Sequence, residues 1–326
     1  MDTLSILKAL VEIESPSGKE EKLARYVLAY LKELGYDAFM DELNVLLSPE
    51  KDFIVATHLD TFRVLAPFSF DGEYAYGTGV CDAKASITAI LLALERIERL
   101  NFGIALFYDE EEGGKGSENF CKKYRPKKAV VMEPTNLTIA NVQHGGLEAR
   151  IRVRGVAAHG ANPEKGENAI EKCIKMIEKF KELKDVTISV QFMKGGSEED
   201  YVIPENCEMR VEFMFKPHVK AEEVLENVKQ ICSNRTELTV KEIYNGFISG
   251  ETANILRQAM EKAGLKIVFS EMPSWNDAVN LHYLAGCDTV SFGPGELYPC
   301  HTRNERVRLK DIESAAEVLI ALNSLL

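Results

Sequence analysis

Three apolar runs constrain this chain more than any other feature: FIVAT stops on His58, GIALFY on Asp109-Glu110-Glu111, and AVVM on Glu133. Runs rich in β-branched residues and free of polar alternation fit strands buried on both faces of a parallel sheet. Such sheets collect their functional groups just beyond the strand C-termini. Asp82 after GTGVC and His301 after GPGELYPC add two more polar groups. Five side chains from distant positions can therefore converge, a pattern that predicts a two-metal hydrolase centre.

The flanking segments fit that sheet. Ser17 and Glu20 have capping-box spacing ahead of a helix whose apolar face carries Leu23, Val27, Tyr30, Leu31 and Leu34, and Gly35 stands where a helix ends. LNVLL and FIVAT read as strands. Ile87, Ile90, Leu91, Leu94 and Ile97 recur at helical spacing over 83–100, and the strand FGIALFY follows. This is a βαβ rhythm.

The rhythm changes at His144-Gly145-Gly146. The order becomes strand (LEARIRVRG), helix (168–183), strand (VTISVQF), strand (CEMRVEFMF), helix (221–232) and strand (ELTVKEI). That βαββαβ order predicts a small two-layer, ferredoxin-like domain. After Asn245-Gly246 the earlier style resumes with a helix over 252–263, the strand DTVSFG and a helix over 311–325. The expected fold is α/β. A mostly parallel-sheet α/β/α catalytic domain (1–144 and 246–326) is interrupted by an inserted lid or dimerisation domain (145–245).

Composition excludes several alternatives. The 326 residues are 45% hydrophobic, enough to bury a large core, and a net charge of −12 argues against a nucleic-acid partner. No apolar run approaches a membrane span, and MDTLSILKAL lacks the order of a signal peptide, so a cytoplasmic location is expected. Seven scattered cysteines without a CxxC read as reduced thiols; Cys81 and Cys300, each before a proposed ligand, read as small buried hydrophobes.

Each polar cluster has an ordinary alternative. HLD can be a satisfied structural histidine, although at a strand end Asp60 can accept from the His58 imidazole and fix its tautomer. Asp82 can be a helix N-cap. The four acids from Asp109 to Glu112 can be a solvated turn, and Glu133 can belong to a strand-capping loop. Their shared location at strand ends favours a metal centre. Mixed imidazole and carboxylate donors suit zinc, with cobalt or manganese also compatible.

At THLDT, GTGVCDAK, DEEEGGKGS, MEPT, GVAAHGANPEKGENA and GPGELYPCHT the chain resembles the dinuclear zinc amidohydrolases that include acetylornithine deacetylase, succinyl-diaminopimelate desuccinylase, aminoacylase and glutamate carboxypeptidase. The motifs occur in the family's order across essentially the whole chain. The resemblance implies that Asp82 bridges two divalent ions, His58 and Glu133 completing one site and Glu111 and His301 the other. It also implies that Glu110 is the general base, that Asp60 orients His58, and that His159 reaches the partner's active site in a homodimer. A loop histidine that caps the following segment is the plainer reading of His159.

Departures from the family concern the substrate. Relatives usually carry arginine at Thr78, glycine at Ala85, asparagine at Tyr201 and a carboxylate-binding arginine near Met214; here Arg210 or Lys216 would take over that last role. Length and the GPGELYPCHT segment resemble most the deacylases of lysine and arginine biosynthesis, which act on N-acyl amino acids or on an amino-group carrier protein. Residues 122–128 would be the landing patch for an acidic carrier, unless they are a solvated charge run. Asp277, or else Glu296, would meet a cationic side chain, although Asp277 also reads as a helix N-cap. A dipeptidase or carboxypeptidase remains the alternative within the family. A metal-binding protein without turnover is the alternative outside it, and a free base at Glu110 argues against that one.

Overall fold

The computed structural model describes residues 2–232 and 235–326. The chain divides into two compact units, one built from Met1–Asn141, Ser249–Met272 and Asn276–Leu326, the other from Val142–Ile248 and Pro273–Trp275.

The first unit opens with α1 (Thr3–Glu12), capped by the Asp2 side chain on Ser5 N–H at 2.7 Å, and α2 (Glu21–Glu33). Gly35 ends α2 at φ +88, a left-handed conformation that glycine adopts freely. The expected capping box is not formed. Glu20 is the N-cap, but its side chain caps no amide of α2: Oε1 accepts Gly18 N–H at 2.9 Å, and both Ser17 and Glu20 also reach the functional site described below. Next come β1 (Phe39–Asp41), β2 (Asn44–Leu47), β3 (Phe53–His58), β4 (Ser69–Phe70), β5 (Tyr74–Tyr76), α3 (Lys84–Leu94), β6 (Gly103–Phe107), α4 (Lys115–Lys123), β7 (Lys128–Val131) and β8 (Ile139–Gln143).

In β8 the chain passes into the second unit, which contains β9 (Gly145–Arg154), α5 (Ala169–Lys181), β10 (Val186–Gly195), β11 (Asn206–Phe215), α6 (Ala221–Ile231), β12 (Thr236–Tyr244) and β13 (Phe247–Ile248). Its four-stranded sheet runs β10-β11-β9-β12, antiparallel throughout, as the βαββαβ order predicts. Alternation along the strands sends Leu147, Ala149, Ile151, Met209, Val211 and Phe213 into a core with Cys173, Phe180 and Val224 of α5 and α6. The other face of the sheet carries charged residues.

The first unit then resumes with α7 (Glu251–Lys262), β14 (Phe269–Met272), α8 (Asp277–Ala285), β15 (Asp288–Ser291), β16 (Arg306–Arg308) and α9 (Leu309–Asn323). Its sheet has a parallel centre, β6-β3-β7-β15, in which every residue of β3 and β6 is buried. β2 and β8 add antiparallel strands at the margins. Helices cover both faces: Val55, Leu106 and Val130 pack with α1, α2, α3, α7 and α9, while Phe107 meets Phe120 of α4, which pairs with α8. No described helix is long and apolar enough to cross a membrane.

Candidate metal centre

The first unit brings together all five expected ligands. His58 is the last residue of β3, Glu133 follows β7, and Glu110 and Glu111 follow β6. Asp82 precedes α3 on the loop 77–82, and His301 lies between β15 and β16. Gly79 in that loop has φ +75, and a Cβ there would sit 2.3 Å from Thr61 Cγ2, so no other residue fits. Of the seven described non-glycine residues with positive φ, Asp109 and His301 lie at this site, each with φ 61, at a cost of about 1–3 kcal/mol.

Asp82 is the hub. Its Oδ1 lies 3.0 Å from His58 Nε2 and its Oδ2 lies 3.3 Å from His301 Nε2. His301 Nε2 is also 2.9 Å from Glu111 Oε2. Ligand atoms of His58, Asp82 and Glu133 fall within 4.8 Å of one another, as do those of Asp82, Glu111 and His301. The two triads share Asp82 alone, one oxygen to each side. A third grouping, His58, Glu110 and Glu111, shows that Glu110 stands against both triads. Among the four acids of the run only Glu111 belongs to a triad, and of the other three only Glu110 falls within reach of the ligands.

The electrostatics fit cations. Burial pushes Glu110, Glu111 and Glu133 above their ordinary range, and their mutual repulsion adds to it. Burial alone would lower His58 and His301. Instead the surrounding carboxylates hold both imidazoles up, His301 to about 10, and the imidazoles in turn hold Asp82 well below its ordinary value. Glu133 Oε1 is buried without a hydrogen-bond partner. A pocket of four carboxylates short of positive charge, with an unpaired oxygen aimed inward, suits two divalent ions.

The supporting contacts differ in part from expectation. His58 Nδ1 lies 2.9 Å from the Asp60 main-chain oxygen, and the Asp60 carboxylate stands farther off at 3.5 Å. That carboxylate is turned to gather other donors: Glu110 N–H (3.0 Å), Glu111 N–H (3.0 Å) and Ser17 Oγ (2.8 Å). Asp60 therefore orients the base and ligand turn as much as the imidazole. Glu20 Oε1 accepts from Asp109 N–H at 3.2 Å. Phe62 donates its N–H to Glu111 Oε1 at 3.1 Å and stacks on His301 with ring centroids 5.0 Å apart. Sequence reasoning missed these roles for Ser17, Glu20 and Phe62. The first two carried a signal, but helix capping was the local explanation.

Asp277 departs from expectation too. It is the first residue of α8, with Asn276 as the N-cap, and it is fully buried, both oxygens unpartnered, near Ser117. Burial raises it to about 7, and its charge is felt at Glu110 and Glu133. A carboxylate with no exposed surface cannot meet a substrate ammonium from solvent; it adds to the charge balance behind the ligands. Of the five basic residues in 122–128 the four lysines face acids, Lys122 with Glu118 (2.9 Å), Lys123 with Asp41 (2.6 Å), Lys127 with Asp52 (2.7 Å) and Lys128 with Glu251 (2.9 Å), while Arg125 donates to the Tyr124 carbonyl. The solvated-charge reading describes them.

The second unit holds the remaining candidates. His159 lies on an exposed loop, its Nδ1 accepting Ala161 N–H at 3.1 Å. Arg210 is exposed on the helix-free face of the sheet, opposite Arg150. One step along the strands Glu212, Glu148 and Glu242 stand side by side across β11, β9 and β12.

Comparison with known proteins places this geometry in context. The model of peptidase family M20/M25/M40 matches residues 54–324. A protein of Pyrobaculum aerophilum with the provisional name LysW-lysine/LysW-ornithine hydrolase is 26% identical over 339 residues, covering 98% of this chain and 96% of that protein. A tripeptidase of Staphylococcus aureus shares the fold with a TM-score of 0.83 at 20% identity, covering 99% of this chain and 97% of its own. A metallo-carboxypeptidase of Sulfolobus solfataricus shares it with a TM-score of 0.81 at 17% identity, covering 100% and 99%.

Proposed function

Because this chain belongs to peptidase family M20/M25/M40, a family of hydrolases of amide bonds, we propose that it removes an N-acyl group from lysine or ornithine, the acyl group being acetyl or the γ-glutamyl end of a carrier protein. The observation that carries the catalytic reading is Asp82, whose two oxygens serve two ligand triads with the uncommitted Glu110 beside both. The full-length likeness to the LysW-lysine/LysW-ornithine hydrolase supports the substrate class.

His58, Asp82 and Glu133 would hold one ion, and Asp82, Glu111 and His301 the other, zinc being the expected metal. When bound, such a pair polarises the amide carbonyl and lowers the pKa of the attacking water. Glu110 takes the proton from that water as its oxygen bonds to the carbonyl carbon. It returns the proton to the nitrogen as the C–N bond breaks, releasing carboxylate and amine. Asp60 holds Glu110 in place through the 110 and 111 N–H groups.

His159 would stabilise the oxyanion in the partner's active site, and Arg210 would bind the substrate carboxylate. β10 is an edge strand exposing Val190, Phe192 and Met193, which supports pairing of two chains into a homodimer.

Specificity constants of the metal-loaded protein test the substrate. N-acetyl-lysine, N-acetyl-ornithine or carrier-linked γ-glutamyl-lysine should exceed N-acetyl-leucine and N-acetyl-glutamate. A higher constant for N-acetyl-leucine or a simple dipeptide replaces this reading with the peptidase one.

A further inference from the structure

Glu305 is not a metal ligand, yet it holds the residue on which both triads depend. Its side chain is buried at 2% exposure. Oε2 accepts Gly79 N–H at 3.0 Å, and Oε1 accepts Cys81 N–H at 2.9 Å and Asp82 N–H at 3.1 Å, the last from 223 residues away. The Glu305 main-chain oxygen also takes Gly77 N–H at 3.3 Å. The loop 77–82 is too tight to satisfy these amides itself. A carboxylate accepts all three because it carries only acceptors, whereas an amide would set a donor against one of them. The buried Lys84, whose Nζ donates to the Ile13 carbonyl at 2.7 Å, places a positive charge nearby.

We infer that Glu305 is the positioning residue of the metal centre: it fixes the loop that presents Asp82 to both ions and ties that loop to the segment carrying His301. His301 lies four residues earlier on the same segment. One carboxylate thus sets the relative placement of two ligands that the sequence separates by more than 200 positions. Partners of this kind, which orient ligands without touching the metal, typically change metal affinity by about 10–100-fold when altered.

The inference rests on Asp82 as the shared ligand, and the two are tested separately. Amide hydrogen exchange on the metal-free wild-type protein should find Gly79, Cys81 and Asp82 protected before any ion binds. Exchange at the rate of an open loop would overturn the inference, whether or not any variant folds. Glu305→Gln keeps the side chain's size. Titration of the folded, metal-free variant with Zn2+ or Co2+ should show both ions bound about 10–100-fold more weakly. The visible absorption of its Co2+ form should shift as the coordination geometry loosens. A Glu305→Gln protein with wild-type affinity and an unchanged Co2+ spectrum, even if it melts at lower temperature, would reduce Glu305 to a structural residue. Two ions retained by Asp82→Ala would instead remove the shared-ligand reading.

Discussion

Asp82 meets His58 across 24 residues of sequence, Oδ1 to Nε2 at 3.0 Å, and in doing so leaves its second oxygen turned to the opposite side of the pocket. That orientation makes one residue a member of both triads. Asp82→Ala should therefore remove both ions together, along with turnover. Glu133→Ala, confined to one triad, should remove one ion more readily than the other. Metal content of the purified variants decides it, and two ions per chain in Asp82→Ala would contradict a shared ligand.

Glu110 lies against both triads and belongs to neither. Glu110→Gln keeps its shape and removes its ability to take a proton. Turnover should fall at least about 10²–10⁴-fold with metal content unchanged. Near-wild-type turnover in a metal-replete Glu110→Gln enzyme would assign the base elsewhere.

His159 and Glu110 belong to different units of the chain. If His159 serves the partner's site, mixing inactive His159→Ala with inactive Glu110→Gln should restore activity, because the hybrid dimer contains one site with both groups intact. Hybrids as inactive as their parents would place His159 within its own subunit's site or outside catalysis.

Glu242 gives a pH signature. Its carboxyl is raised from 4.5 to about 7 by burial, then by Glu148 and Glu212. Between those values the folded state keeps a proton that the unfolded chain has lost, so stability falls as pH rises through the window. At about 1.36 kcal/mol per pH unit the bound is about 3 kcal/mol, and partial exposure brings it to about 1–2 kcal/mol. Glu242→Gln should raise the melting temperature at pH 8 and leave it unchanged near pH 4. Equal effects at both pH values would show that the three glutamates are not repelling one another.

Much of this molecule was legible in short stretches of sequence. The runs 53–57 and 103–107, mostly apolar and without alternation, suited strands buried on both faces, and the polar groups that follow them were expected at one edge of a parallel sheet. Alternation in LEARIRVRG and CEMRVEFMF distinguished a sheet with one open face, and the element order supplied its topology. The family motifs then named the ligands and the base. The elements depend on periodicity, strand ends and spacing, which are local properties, whereas the roles of the ligands and of the base were what the resemblance implied.

What the tertiary structure decided is where polar side chains go once the elements pack. Ser17 and Glu20 had the spacing of a capping box, but folding carries Ser17 to Asp60 and Glu20 to the Asp109 amide, stronger partners in a buried setting than an exposed helix end. Asp277 looked available to substrate, and α8 buries it completely. Glu305 had no local signal at all, because the amides it satisfies lie 223 to 226 residues away. A buried amide or carboxylate must find a partner wherever packing brings one, and no local pattern records that distance. The sequence by itself determined which elements form and which residues could bind metal; the fold alone decided that Asp82 turns an oxygen to each side and that Glu305 holds it there.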